Sequence, residues 1–377
     1  MAMIGGGKGS FIGPVHLMAA RLDNMTELVA GAFSSKAEVS LSSGLDYGLS
    51  EERIYDSWRD MIDKESKLPE KLKADFICIA TPNHLHYEPA MEAIKAGFHI
   101  VCDKPLCLTA DEALALKKAI SDHKTLFCLT HNYTGYPMVR KAREMIRNNE
   151  LGDIRRLAVE YLQGWLSEKE ELKGNKQAEW RADPAKAGNA GCMGDIGSHA
   201  FQLSEFITGS KVSRLYSQLN TFVEGRLLDD DGNVILNFDS GIKGSLVASQ
   251  VAAGEENGLS IRIYGTMGSL AWRQMEPNSL VVRWKDKPYQ VYRTATGFEA
   301  IGRHADTHSR LPAGHPEGFI EAFANLYRNF ALHLQAYKEG KAHDTTFDYP
   351  GIDDGVRGMQ FLEAVVKSSR EEKWVEL

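Results

Sequence analysis

Apolar and polar positions follow two different rhythms along this chain, and the rhythm changes near residue 132. In the first part, five short apolar runs predict buried β-strands. They cover residues 1–4, 27–32, 75–80, 99–102 and 126–130. Helical patterns lie between the runs, one with Pro14 near its first turn and another that stops at Gly97. Strands that alternate with helices predict a parallel, doubly wound α/β sheet of the dinucleotide-binding (Rossmann) type.

Beyond residue 132 apolar and polar residues alternate one by one, which is typical of half-buried antiparallel strands. The strands predicted in this way cover residues 156–161, 215–223, 234–238, 242–250, 260–264 and 280–284. In the fourth of these, Ile242, Gly244, Leu246 and Ala248 carry no polar side chain, so we expect this set to face the core. The second region is therefore predicted to be an α+β domain with an open, mostly antiparallel sheet.

The two rhythms divide the chain into residues 1–132, which would bind a nucleotide, and residues 133–377, which would bind substrate and form oligomers. A run with helical spacing is expected to pack on the core of the second domain. It consists of Phe319, Phe323, Leu326, Phe330 and Leu334. The C-terminal helix is a candidate to pack back on the first domain. The run at residues 1–4 is short for a central strand, so we expect strand residues upstream of Met1.

Composition narrows the class of protein. The 377 residues are 43% hydrophobic and carry a net charge of −7, which suits a globular chain and argues against nucleic acid as a partner. No apolar run approaches the roughly 20 residues that a membrane span needs. The five cysteines are odd in number and have no metal-ligand spacing, which indicates a reducing, cytoplasmic compartment.

The histidines also lack the pattern of a metal site. His84 and His86 fall at a predicted helix start, and His304, His308 and His315 lie in a segment interrupted by glycine and proline. We therefore expect no metal ion.

A glycine cluster, residues 5–13, follows the first strand and opens the first helix, which is where a dinucleotide-binding loop is found. Gly5 and Gly7 fit the first two glycines of the G-x-G-x-x-G pattern, but Ser10 occupies the third position, and Gly13 comes three residues late. Glycines allow the backbone to approach a pyrophosphate, which is then bound by helix N–H groups. The alternative is a flexible glycine turn without a ligand.

The end of the second strand selects between NAD and NADP, because an acid there would hold the ribose 2′-hydroxyl. This chain has Ser34, Ser35 and Lys36 at that point and no acid. Two hydroxyls and a lysine favour a 2′-phosphate, and hence NADP, by a small margin. An ordinary polar loop with its lysine in solvent is the alternative.

Two further segments have the residue types that dehydrogenation needs. Lys104 follows the apolar run at residues 100–102, at a strand tip where open α/β sheets bind ligands. If the chain is helical from Ser198 onward, Asp195 lies at the helix start and His199 one turn in, and residues four apart then share a face. Histidine is a suitable base for a hydroxyl proton, and a carboxylate can orient it. The alternative is a capping aspartate and a structural, buried histidine.

These segments resemble the Gfo/Idh/MocA family, named for glucose-fructose oxidoreductase and inositol dehydrogenase, over nearly the whole chain. The resemblance lies in residues 80–83 with His86, in residues 96–106, in Trp180-Arg181 and in residues 194–199. Asp103 replaces the family's more usual glutamate, and the glycine loop is longer than the common pattern.

The resemblance implies that Lys104, Asp195 and His199 form the catalytic set, with His199 as proton acceptor. Lys104 would bridge the substrate oxygen and the cofactor, while Asp195 would bind a substrate hydroxyl and orient His199. The residues expected to bind the NAD(P) cofactor are Gly5, Gly7, Ser10, Phe11, Ile12, Ser34, Ser35, Lys36, Thr81, Pro82, Asn83, His86, Asp103, Lys104, Asn132 and Arg181.

The sequence thus predicts an NAD(P)-dependent oxidoreductase that acts on a ring hydroxyl or ketone of a sugar, an inositol or a glycoside. We expect a homodimer or a homotetramer. A protein of the same fold that binds nucleotide and sugar without catalysis, to regulate a partner, is the alternative. Aromatic residues such as Tyr133 and Trp165 are predicted to belong to the core.

Overall fold

The computed structural model describes residues 1–297 and 301–377. The chain forms two compact units. The first comprises Met1–His131 and Phe323–Val356, and the second comprises Asn132–Ala322 and Arg357–Leu377. The boundary in the sequence analysis lies within one residue of His131. Phe323–Val356, however, belongs to the first unit, although we assigned this segment to the second domain.

The first unit contains a parallel five-stranded sheet, as predicted. Its strands are β1 (Ala2–Gly5), β2 (Ala30–Ala32), β3 (Phe76–Ala80), β4 (His99–Cys102) and β5 (Phe127–Leu129). They lie in the order β2-β1-β3-β4-β5, and an isolated parallel bridge joins Ile54 to Gly31 on β2. With this bridge the order is that of the doubly wound dinucleotide fold, whose order reverses between β1 and β3.

Helices connect these strands, and each of them buries one face against the sheet or its neighbours. They are α1 (Ile12–Arg21), α2 (Ala37–Asp46), α3 (Trp58–Ser66), α4 (Tyr87–Lys95) and α5 (Ala110–His123). Thr109 caps α5 as predicted, since its side chain accepts a hydrogen bond from Glu112 N. The chain turns after α4 at Gly97, whose φ is +82°.

The second unit contains a nine-stranded sheet. Its strands are β6 (Ile154–Leu162), β7 (Val212–Asn220), β8 (Asp231–Phe238), β9 (Lys243–Ser249), β10 (Gly258–Gly265), β11 (Gly268–Arg273), β12 (Ser279–Trp284), β13 (Gln290–Arg293) and β14 (Val375–Glu376). The order is β13-β12-β11-β10-β6-β9-β8-β7-β14, and every neighbouring pair is antiparallel except β6 and β9. The predicted open, mostly antiparallel sheet is confirmed, although the sequence analysis missed β11, β13 and β14.

One face of this sheet is buried under helices. Gly244, Leu246 and Ala248 of β9 face the core as predicted, while Ser245 and Val247 on the other face are only half-buried. The helices of the unit are α6 (Pro137–Arg147), α7 (Lys176–Arg181), α8 (Pro184–Ala187), α9 (Ser198–Thr208) and α10 (Arg303–Asp306). Nearly every residue of α9 is buried, which marks it as the central helix of this core.

Two long helices, α11 (Phe319–Lys338) and α12 (Ile352–Glu371), each belong to both units. The helical run from Phe319 to Leu334 is confirmed as α11. Its packing partner was predicted wrongly, because the Phe330 ring lies 5.1 Å from the Phe76 ring of β3 in the first unit. Helical spacing indicates which face of α11 is buried but not which sheet covers it.

Across residues 1–297 and 301–377, no helix combines the length and the apolar character that crossing a membrane requires.

Candidate active site

The loops that follow four parallel strands of the first unit meet at the carboxyl edge of its sheet. Gly5 of β1 is in register with Ala80 of β3, so the glycine loop and the loop after β3 are neighbours. Next to them, the Asp103 N–H donates to Ile79 O, and Thr130 N donates to Cys102 O. Ligands of open α/β sheets bind at this edge.

The glycine loop passes from β1 directly into α1. A Cβ on Gly13 would overlap the backbone of Gly6, so helix and loop touch main chain to main chain. Gly13 therefore performs the close-packing role of the third glycine, three residues later than the common pattern, whose third position Ser10 occupies. Ser10 Oγ instead accepts the Gly13 N–H at 3.2 Å, which supports the first turn of α1.

The loop after β2 carries the hydroxyls and the lysine predicted at that point. Ser34 Oγ accepts the Lys36 N–H at 3.2 Å, and Ser35 and Lys36 are exposed. Phe33 N donates to Ser40 Oγ at 3.0 Å, which anchors the loop on α2.

His86 is completely enclosed and holds two loops together. Its Nδ1 lies 2.7 Å from Pro105 O, and its Nε2 lies 2.8 Å from Thr81 O. Burial lowers the pKa of His86, while Asp103 and the two carbonyl oxygens act in the opposite direction. His86 therefore holds the loop at residues 81–83 against the segment at Pro105.

Asp103 orders the strand tip that presents Lys104. Its Oδ1 accepts hydrogen bonds from Thr130 Oγ1 at 2.8 Å and from Lys104 N at 3.0 Å, and the peptide bond between Lys104 and Pro105 is cis. Lys104 itself is half-buried. Burial, together with the Lys104 ammonium, lowers the pKa of His131 to about 3, so His131 is neutral at physiological pH.

In the second unit, Asp195 lies in a turn rather than in a regular helix. Met193–Gly197 form a π-helical turn, and α9 begins only at Ser198. The predicted helix from Ser198 is confirmed, and Asp195 lies just before it, in the π-helical turn rather than at an α-helical start. Asp229 anchors the start of this turn by accepting hydrogen bonds from Gly191 N at 2.6 Å and from Met193 N at 2.7 Å.

The Asp195 carboxylate is held from two sides. Arg181 Nε donates to Asp195 Oδ2 at 2.8 Å, and Gln250 Nε2 donates to the same oxygen at 2.9 Å. The Arg181 guanidinium also lies 4.1 Å above the Trp180 ring. Arg181, which stacks on Trp180, thus holds the Asp195 carboxylate in this unit. We expected Arg181 to bind the cofactor.

His199 is 7% exposed and lies among aromatic rings. The Tyr133 ring meets it edge-on at 4.8 Å, and the Tyr161 ring lies at 6.2 Å. Tyr133 is buried, as we predicted, but it touches a candidate catalytic side chain as well as the core. Burial raises the pKa of Tyr133 and of Tyr161, so both phenols are protonated near neutral pH.

Asn132 begins the short helical turn Asn132–Gly135 and is 3% exposed. Its Nδ2 has no hydrogen-bond partner among the described residues. A buried amide donor without a partner is costly, so this position suits a ligand that supplies an acceptor.

Each unit therefore collects its own part of the predicted site. The first unit gathers the glycine loop, the loops after β2 and β3, Asp103 and Lys104. The second contains Asn132, Arg181, Asp195 and His199. The sequence analysis missed Gln163, Gln250 and Asn257, which contact one another or Asp195. Gln250 follows a strand that is apolar on one face, but nothing in the sequence distinguishes it from other polar strand ends.

No group of three or more His, Cys, Asp or Glu side chains within residues 1–297 and 301–377 could hold a metal ion. The doubly wound parallel sheet and the glycine loop at its carboxyl edge define the class as a protein with a dinucleotide-binding domain.

Comparison with known proteins identifies the family. Residues 1–142 match the family model described as "Oxidoreductase family, NAD-binding Rossmann fold", and residues 139–271 match the "GFO/IDH/MocA C-terminal domain". The protein belongs to the Gfo/Idh/MocA family of oxidoreductases.

Three relatives extend over the whole chain. An uncharacterized oxidoreductase, YfiI of Bacillus subtilis, is 33% identical, with 100% of this chain and 96% of that protein aligned. Levoglucosan dehydrogenase of Pseudarthrobacter phenanthrenivorans is 27% identical over 100% of this chain and 97% of its own. The structure of an inositol dehydrogenase homolog from Azotobacter vinelandii, complexed with NADH and myo-inositol, is 33% identical. It has a TM-score of 0.92 and covers 100% of this chain and 97% of its own.

Proposed function

We propose that this protein is an NAD(P)-dependent dehydrogenase that transfers hydride between a ring hydroxyl of a sugar, inositol or glycoside and the nicotinamide. The observation that carries the proposal is the arrangement of Asp195, which two donors hold by one oxygen four residues before the buried His199. A lysine at a strand tip of the first unit completes the set of groups that alcohol oxidation needs. The nicotinamide, when bound, supplies the hydride acceptor.

Within this proposal each side chain has a distinct role. His199 Nε2 or Nδ1 accepts the hydroxyl proton of the substrate, for which its ring must be neutral. Lys104 donates to the oxygen that loses this proton and thereby stabilises the charge that develops there. Asp195 accepts from a neighbouring substrate hydroxyl and restrains His199.

The residues of the first unit fit a dinucleotide. Gly13 brings α1 against the loop, which directs backbone N–H groups at a pyrophosphate. The pyrophosphate would be held by residues 5–12, the ribose by Ser34, Ser35 and Lys36, and the nicotinamide by residues 81–83, Asp103 and Lys104, with His86 holding the loop at residues 81–83 in place. Asn132 of the second unit is a further contact in the proposal, because its buried Nδ2 needs an acceptor.

Arg181 remains a proposed cofactor contact, but its first role is to hold Asp195. Its Nε is committed to Asp195, so any contact with the cofactor would come from the rest of the guanidinium. NADP is favoured over NAD by a small margin, because the loop after β2 offers two hydroxyls and an exposed lysine at the 2′ position.

A hydroxyl-rich ring is the substrate class that the relatives support. One relative is named for levoglucosan, and a solved relative carries myo-inositol. Such rings are bound by side chains that both donate and accept hydrogen bonds, and Gln163, Asn257 and Tyr161 cluster near Asp195 and His199 in the second unit.

The proposal extends to assembly and compartment. The half-buried outer face of the nine-stranded sheet supports a homodimer or homotetramer, in which two such faces meet. Five buried cysteines without disulfide bonds support a reducing, cytoplasmic location.

The rival function is a protein that binds nucleotide and sugar without turning them over. A sensor of this kind does not need Lys104, Asp195 and His199 together, so their joint presence favours catalysis.

A panel of sugars, inositols and glycosides with NAD and NADP tests the proposal, with cofactor reduction followed by absorbance.

Two variants test the roles of the side chains. Lys104→Ala should lower kcat on the order of 10²- to 10⁴-fold while the cofactor still binds. The rate of oxidation should rise with pH as the ring of the base loses its proton, and His199→Asn should abolish this rise. Near wild-type turnover in either variant would remove that residue from the mechanism. Binding of cofactor and sugar without any turnover would favour the rival function.

A further inference from the structure

Three amide side chains connect the surroundings of Asp195 to those of His199. Gln250 Nε2 donates to Asp195 Oδ2 at 2.9 Å and to Gln163 Oε1 at 3.4 Å. Gln163 Nε2 then donates to Asn257 Oδ1 at 2.9 Å. We refer to Gln250, Gln163 and Asn257 as the amide chain.

At its far end the amide chain closes a ring with two tyrosines. Tyr161 OH donates to Asn257 Oδ1 at 2.6 Å, and Asn257 Nδ2 donates to Tyr133 OH at 3.2 Å. The two hydroxyl oxygens lie 2.5 Å apart. Because the Tyr133 ring lies 4.8 Å from the His199 ring, the amide chain ends on the direct neighbour of the proposed base.

The direction of every amide in the chain is determined. The Trp165 indole N–H can only donate, and it donates to Gln163 Oε1 at 3.0 Å, which turns Gln163 Nε2 towards Asn257. At the other end the Asp195 carboxylate can only accept when ionised, which directs Gln250 Nε2 at it. A change from amide to carboxylate therefore replaces a donor by an acceptor, so that two acceptors face each other, without altering the shape of the side chain.

We propose that the amide chain positions Asp195 and His199 as one unit, so that Gln250, Gln163 and Asn257 are positioning residues for the proposed reaction. Gln250 and Arg181 converge on the same oxygen, Oδ2, and a rotation of Asp195 would break both hydrogen bonds. Gln250 is 2% exposed, so water does not replace its amide. The inference rests on the proposed function, because it assigns a purpose to contacts of the proposed catalytic side chains.

Stability measurements test the contact without any substrate or cofactor. Gln250→Glu should lower the midpoint of thermal unfolding at pH 7.5 by roughly 5 °C, since it sets two carboxylates 2.9 Å apart. The double variant Gln250→Glu/Asp195→Asn keeps one carboxylate beside Arg181 and removes the repulsion, so its midpoint should lie above the value that the two single shifts would give by addition. Shifts of the two single variants that simply add would overturn the inference.

Kinetics on a substrate found by the panel test the purpose of the contact. Gln250→Glu should lower kcat on the order of 10- to 100-fold, while KM stays within about threefold. The acid limb of the pH profile should move upward by about one pH unit, because a second carboxylate faces Asp195. Gln335→Glu, at an exposed position of α11, is the matched control and should leave kcat, KM and the pH profile unchanged.

The outcomes separate the two proposals. Wild-type kcat and pH profile in Gln250→Glu, with turnover lost in Asp195→Asn and His199→Asn, would overturn the positioning role and leave the proposed function intact. Full turnover in Asp195→Asn and His199→Asn would instead overturn the proposed function, and the positioning role with it.

Discussion

At the residue scale, Gly13 shows how one missing side chain determines a binding loop. Its Cα lies against the Gly6 backbone, where a Cβ would overlap the Gly6 carbonyl oxygen. Gly13→Ala should therefore lower the free energy of unfolding by about 1–3 kcal/mol and weaken NAD(P) binding. Denaturant unfolding and calorimetric titration measure the two effects.

The matched control is Gly358→Ala in α12. Among the described residues, no atom outside its chain neighbours and the backbone of its own helix lies within 4 Å of the Cβ that this change adds. Alanine should raise the free energy of unfolding there by about 0.5–1 kcal/mol. Equal effects of the two variants would show that the contact between Gly13 and Gly6 does not shape the loop.

Lys36 permits a prediction about cofactor choice. Lys36→Ala should weaken NADP binding about tenfold, or about 1.4 kcal/mol, and leave NAD binding unchanged, because only NADP has a 2′-phosphate. The loss of NADP affinity in Lys36→Ala should become smaller as the salt concentration rises from about 50 to about 500 mM. Over roughly this range the screening length falls from above 10 Å towards 3 Å. Isothermal titration with both cofactors measures it.

Lys67→Ala is the control, since Lys67 is exposed in the same unit and pairs only with Asp63 among the contacts described. A wild-type preference for NAD of tenfold or more, together with no effect of Lys36→Ala, would contradict the NADP assignment.

At the scale of elements, the π-helical turn Met193–Gly197 depends on a carboxylate from another segment. Asp229 accepts from Gly191 N and Met193 N, and burial raises its pKa to about 6 despite these hydrogen bonds. The folded state thus retains a proton that the unfolded chain releases near pH 4. The resulting contribution to stability, about 3 kcal/mol, is complete below pH 4 and is lost as pH rises through 6.

Asp229→Asn should remove this pH dependence. The free energy of unfolding of the variant should fall furthest below that of the wild type at pH 4. At pH 7 this difference should be smaller by about 3 kcal/mol. Urea unfolding at several pH values measures this. Asp239→Asn is an informative control, because hydrogen bonds from Ser210 and the neighbouring backbone lower the pKa of Asp239 and give the opposite sign. A difference that does not change with pH would contradict the role of Asp229.

The long helix α11 illustrates a general limit at this scale. Its apolar spacing was recognised correctly, yet Phe330 packs on Phe76 of the first unit rather than on the second. An amphipathic helix buries its apolar face on whichever sheet the chain returns to, and that return is a long-range property.

At the scale of the whole molecule, the outer face of the nine-stranded sheet carries a row of mainly apolar residues. Strand register places in this row Tyr216, Ile235, Ser245, Ala158, Arg262, Ala271 and Val281. Ile235 is 51% exposed. Each Å² of apolar surface removed from water stabilises an assembly by about 25 cal/mol, so this row favours pairing of two sheets.

Light scattering at micromolar concentration should give a mass of at least twice the chain's 41.9 kDa. Ile235→Lys should reduce that mass, since it places a charge in the row. Leu72→Lys, at a leucine that is 58% exposed in the first unit, should leave the mass unchanged. A wild-type mass of 41.9 kDa would mean that the outer face is solvated and that the protein is a monomer.

The sequence by itself determined the two sheets and most of their strands. Periodicity reveals which residues of a segment are buried, and the alternation of strands and helices leaves few topologies for the first unit. Motifs at strand ends indicated Lys104 and the glycine loop, because a parallel sheet brings all carboxyl ends of its strands to one edge.

Only the tertiary structure decided which groups touch. It paired Gly13 with Gly6, set the chain around Asp195 in a π-helical turn, and brought Gln250 and Arg181 to one oxygen of Asp195. The physical reason is that burial leaves a periodic trace in a sequence, whereas a hydrogen bond between distant side chains leaves none. Gln250, Gln163 and Asn257 are ordinary polar residues until the fold of the second unit aligns their donors and acceptors.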